Sequence, residues 1–192
     1  MGVYLVDVDA QEWFSEDTGE GGMGAIAKGL DAELARRGLP PYTAVPARDT
    51  GPGFEEKLSP SMQGFDALCR AQLTFEEREL LGDWSVLVPF SLDQEIRLPI
   101  GSAYTDETVI VGAPQVLALA ERLAAALELP AEIPEVTENL ALTFWFLEGE
   151  AEELATVRTG PWAEDLDTAF YVALYLRAAQ HALRRGCPLT FS

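Results

Sequence analysis

The chain is poor in positive charge. Only 13 Lys and Arg stand against 32 Asp and Glu, a net charge of −19. A field of that sign repels phosphate backbones and anionic membranes, so direct nucleic-acid binding and membrane adhesion are excluded first. Histidine is scarcer still. His181 stands alone, which rules out a multi-histidine metal site and leaves a catalytic triad a single choice of base. The cysteines, Cys69 and Cys187, lie far apart in sequence. They read as free thiols in a reduced, cytoplasmic protein. No uncharged apolar run reaches the roughly 18 residues of a membrane span. The opening MGVYLVDVDAQEW has no basic segment and carries acids at once, unlike a secretory signal. Lys28 and Lys57 are the sole lysines. With abundant Ala and Gly, that is the bias of a high-GC genome, and it makes part of the acidity background.

What is present suffices for a core. Hydrophobic residues make up 48% of 192 residues, and a chain of this size buries roughly 70% of its unfolded surface. Residues 2–8 alternate Val3, Leu5 and Asp7 with Tyr4, Val6 and Val8, apolar on both faces, as in an interior strand. A short helical turn is expected at 10–14 and an amphipathic helix at 24–37, stopped by Gly38. Residues 39–60 are rich in Pro and Gly without a clear period, and read as a functional loop, a flexible cover, or a stretch that hides a short strand such as 42–45. Helices follow at 61–72 and after Thr74, which opens a capping box with Glu77. Strands are expected at 84–90, 96–100 and 108–111, with Pro89 and Pro99 marking an edge or bulge. Pro114 starts a broadly apolar helix to Leu127. Residues 140–147, LALTFWFL, read as a buried strand, 150–157 as a short helix, 164–185 as the longest helix, and 188–191 as a final strand. The irregular order of elements defines an α+β class: a single domain spanning 1–192, with a mixed, mostly antiparallel sheet packed by amphipathic helices.

Several residues carry candidate chemistry. Asp7 and Asp9 end the first strand one residue apart, the arrangement by which Mg²⁺ is held against phosphate. The pair resembles the opening of the haloacid-dehalogenase phosphatase motif. Gln11 stands where that motif has Thr or Val, and no late Asp-Asp pair follows a strand. The plainer reading has Asp9 capping the next helix. Gly19–Gly24 fits G-x-G-x-x-G, but a dozen residues separate it from the strand, and Glu16, Asp17 and Glu20 give it the wrong charge for phosphate. His181 sits among Ala178, Ala179 and Ala182, as a packed structural histidine does. The acids at 148–153 and 164–167 lie at helix starts, where they favour the helix dipole. Trp13 and Trp162 flank acids near loops. A ring beside carboxylates, as with Glu164 and Asp165, suits a cationic side chain of a partner; the plainer reading is a lid over the core. Trp84 and Trp145 read as core.

The leading expectation is a non-enzymatic acidic domain that binds a basic protein in a regulatory or immunity-like role, without a cofactor. The alternative is a divalent-metal-dependent hydrolase or small-ligand binder using Asp7 and Asp9 with Mg²⁺.

Overall fold

The computed structural model describes residues 2–16, 22–101, 104–135 and 138–192. Alternating apolar side chains divide between the faces of a mixed sheet. Its strands are β1 (Val3–Asp7), β2 (Glu55–Leu58), β3 (Val86–Val88), β4 (Ile96–Leu98), β5 (Thr108–Gly112) and β6 (Leu189–Phe191), in the order β2-β1-β6-β3-β5-β4. β3 and β5 run parallel and every other pairing is antiparallel. The class is α+β, as the order of elements implies. β1 is interior, as its two apolar faces require. The last strand among the described residues, β6, is interior too: Leu5 faces Phe191 on one side, and Leu87 faces Leu189 on the other.

The period of two feeds two cores. Leu5, Leu87, Val109, Val111 and Leu189 enter one, while Val86, Val88, Ile96, Leu98 and Ile110 enter the other. Helices α3 (Gln63–Gln72), α4 (Phe75–Gly82), α5 (Ala113–Leu127), α6 (Ala141–Leu147), α7 (Glu150–Val157), α8 (Pro161–Glu164) and α9 (Leu166–Arg185) contribute to the first core. The second face is closed by α1 (Ala10–Trp13), α2 (Met23–Arg36) and Tyr42. Because both cores share one sheet, neither side is an independent unit. α5 and α9 make the most extensive helix–helix contact. The reason lies in α9, where Ala169, Ala173, Ala178, Ala179 and Ala182 are all buried and let a neighbour approach closely.

Helix ends follow their local chemistry. Thr74 and Glu77 form the reciprocal capping box. Asp165 accepts from the Thr168 N–H at 3.0 Å to start α9, and Gly186, at φ 70°, ends it in the left-handed conformation that glycine adopts without strain.

Two expectations are corrected. Residues 140–147 are not a strand. A short, wholly apolar run does not by itself distinguish a buried strand from a helix, and here the tertiary environment selects α6. Leu142, Thr143 and Phe146 turn inward while Phe144 and Leu147 are exposed, a helical spacing. The deciding group is Glu56, fully buried on β2. Its carboxylate accepts the Leu142 and Thr143 N–H groups at 2.8 Å each and the Thr143 hydroxyl at 2.6 Å. An anion at a helix N-terminus satisfies donors the helix leaves unpaired. Burial nevertheless pushes the Glu56 carboxyl above its ordinary range, against the lowering effect of these bonds.

The second correction concerns 39–60. The segment does hide a short strand, but it is β2 at Glu55–Leu58 rather than 42–45, preceded by a 3₁₀ turn (Arg48–Thr50). It is held as an ordered cover. The Tyr42 N–H donates to Asp31 at 2.8 Å, and the Tyr42 hydroxyl donates to the Gly186 carbonyl at 2.7 Å.

Candidate functional site

Where β1 ends, the cover at 39–54 and the turn after α9 converge. The Asp7 N–H donates to the Phe54 carbonyl at 3.1 Å, the Val8 N–H to Pro188 at 2.8 Å, and the Ala10 N–H to Pro46 at 2.9 Å. These bonds tie the strand end to the 39–54 cover and to the turn after α9. A cleft of about 390 Å³ lies between them, lined by groups that include Asp7, Asp9, Glu12, Glu55, Glu138, Arg48, Arg185 and Cys187. Five carboxylates thus face two guanidiniums. Arg48 is already committed, its Nε 2.8 Å from Asp9.

Asp7 and Asp9 meet different partners. Alternation along β1 sends Asp7 toward α9, where its Oδ2 lies 3.1 Å from His181 Nε2. Asp9 caps α1 instead. One oxygen accepts the Glu12 N–H at 3.0 Å and the other takes Arg48. The backbone bond, with Arg48, holds the Asp9 carboxyl below its usual range. Both Asp9 oxygens thus serve the helix cap and the Arg48 ion pair, while Asp7 turns to His181. The strand context differs as well, since β1 is antiparallel to both its neighbours. Glu12 moves the other way: burial, then the negative charge of Asp9, pushes its carboxyl up.

The end of α9 supplies the rest. His181 and Arg185 are four residues apart and so share a helix face. His181 is buried, packed 5.4 Å from the Phe54 ring. Arg185 donates to the Thr50 hydroxyl at 3.1 Å. Gly186 then turns the chain and drops Cys187 under the cleft, where it is buried and free, as Cys69 is within the first core. Burial pushes the Cys187 thiol up to about 12, with Asp7 adding to the rise and Arg185 opposing it. A thiol in that state is not a nucleophile near neutral pH.

The remaining candidates lie elsewhere. Trp13 and Trp162 are each 1% exposed. Neither presents a ring to a partner: Trp13 packs edge-on against Tyr42 and Trp162 lies near Trp145. Asp165 is the α9 cap, and neither it nor the exposed Glu164 lines the cleft. Of the Gly19–Gly24 motif, Gly19, Glu20 and Gly21 lie outside the described residues. Cys187, Arg48, Glu55 and Glu138 carry no local signal; beyond Asp7 and Asp9, the spacing of His181 and Arg185 beside a Gly-Cys turn is what points to the site.

Comparison with protein-family models, with curated proteins and with solved structures returns no match. Among the described residues no helix is long and apolar enough to cross a membrane.

Proposed function

We propose that the chain is a non-enzymatic acidic interaction domain that captures a basic partner protein, in a regulatory or immunity-like role, by seating a cationic side chain in the cleft at the end of β1. One observation carries this reading. Asp7, Asp9, Glu12, Glu55 and Glu138, from separate parts of the chain, converge on one concave surface, opposed among the described residues by Arg48 and Arg185. A partly enclosed site focuses such a field more than a flat face does. A guanidinium entering it meets carboxylates whose net charge falls short of neutrality without it. The overall charge of −19 steers basic partners to the molecule; the cleft gives them a place to dock.

The test separates cleft from bulk charge. Binding of a labelled arginine-rich peptide is followed by anisotropy for two triple variants of equal net charge. One carries Glu12→Gln, Glu55→Gln and Glu138→Gln; the other carries Glu76→Gln, Glu79→Gln and Glu152→Gln on exposed positions away from the cleft. At ~0.2–1 kcal/mol for each lost pair, the first weakens binding roughly ten-fold and the second changes it little. Equal losses in both would reduce the reading to non-specific attraction.

A further inference from the structure

Asp7, His181 and Cys187 bring a carboxylate, an imidazole and a thiol together beneath the cleft, with one ligand atom from each lying within 4.8 Å of the other two. They come from the end of β1, from α9, and from the residue after its glycine cap, so packed backbone sets their spacing. His181 and Cys187 are each 1% exposed. Asp7 and Cys187 line the cleft. An ion seated among the three has protein on its inner side and solvent on its outer side.

The donor set selects the ion. Mg²⁺ and Ca²⁺ take oxygen ligands, whereas a thiolate with an imidazole suits zinc and its relatives. We propose that Asp7, His181 and Cys187 form a three-ligand site for a zinc-class divalent ion, with its fourth position open to the cleft. Ligand atoms about a tetrahedral zinc stand roughly 3.4–3.6 Å apart. The His181–Asp7 pair, at 3.1 Å, is already near that spacing. Closing the widest edge asks for a movement of about an ångström, within reach of a side-chain rotation. The ion displaces the Cys187 thiol proton to solvent on binding, and charge then balances, since a divalent cation is matched by one carboxylate and one thiolate. The surrounding Asp9, Glu12, Glu55 and Glu138 give the approach a negative field. Three protein ligands with an open fourth position is the pattern of zinc sites that bind water or substrate, in contrast to closed structural ones. The site shares Asp7 with the carboxylates proposed to receive a basic side chain, and its other two ligands, His181 and Cys187, are not among them.

Titration of the metal-free full chain with Co²⁺, followed by Zn²⁺, tests it. Equimolar uptake is expected, with a sulfur-to-cobalt charge-transfer band, visible bands of four-coordinate intensity, and loss of both on adding Zn²⁺. Cys187→Ser abolishes the charge-transfer band, while Cys69→Ser keeps it. His181→Gln and Asp7→Asn each weaken uptake at least ten-fold. Absence of the band from the wild-type chain under excess Co²⁺ overturns the proposal, as does its survival in folded Cys187→Ser. Should Cys187→Ser lose its far-ultraviolet dichroism, the wild-type titration and His181→Gln decide the matter. The variant carrying Glu12→Gln, Glu55→Gln and Glu138→Gln is expected to keep the charge-transfer band while losing peptide affinity, which keeps this test distinct from that of the cleft carboxylates.

Discussion

Glu56 shows what one side chain does when it is buried and fully engaged. It crosses from β2 to start α6, and without it the Leu142 and Thr143 N–H groups lose their acceptor inside the protein. Unsatisfied buried donors cost about 1–3 kcal/mol each. Glu56→Ala is therefore expected to cost about 2–4 kcal/mol, read as a fall in the urea midpoint with an unchanged slope. Glu33 works at the surface. Hydrogen bonds from Arg36, then Arg37, hold its carboxyl down to about 2 from an ordinary 4.5. A carboxyl depressed by folding supports the fold above its unfolded value and stops doing so as pH falls through the folded one. Glu33→Gln is thus expected to lower the melting temperature slightly at neutral pH. The gap should narrow as pH falls from 4.5 toward about 2; a gap constant with pH would assign the effect to packing.

Among elements, the cover formed by residues 39–54 and the end of α9 depend on each other. The Gly186 carbonyl receives the Tyr42 hydroxyl, and Gly186 itself sits at φ 70°. A Cβ added there would meet only the Ala44 carbonyl oxygen, at 3.9 Å, so Gly186→Ala strains the backbone without a clash. The expected loss is about 1–2 kcal/mol, measured as a shift in urea midpoint. Most elements were legible in sequence because their signals are local: the alternation in β1, the Thr74–Glu77 box, Pro114 at the start of α5, Gly186 after α9. α6 was not, because its deciding group, Glu56, lies 86 residues from Leu142. The site was half legible for the same reason. Asp7 and Asp9 stand out on the strand, but the partners of Asp7 lie 174 residues and more away, and Asp9 is diverted by Arg48 from the cover. Trp13 and Trp162 drew attention as aromatic residues near acids, yet hydrophobic burial claims both.

At the scale of the whole molecule, charge sets the response to salt. A net charge of −19 makes the folded state repel itself, and at physiological ionic strength screening acts beyond about 8 Å. The melting temperature is expected to rise by several degrees between low and physiological salt, equally for NaCl and KCl. A flat profile would mean that the acids are already offset by local partners such as Arg36, Arg97 and Arg122.

β6 has a further consequence, for the order in which the sheet is assembled. Residues 189–191 fill the gap between β1 and β3, so a ribosome building the chain from its amino end cannot offer the sheet its middle until those residues emerge. Before then, β1 and β2 form at most a two-stranded ribbon, which is marginal in water, and both β1 and β3 present open edges to other chains. Pairing so distant in sequence is also slow, because a large loop must close first. Nascent chains stalled at increasing lengths are accordingly expected to leave Val3–Asp7 open to protease until residues 189–191 are exposed, and then to protect it in one step.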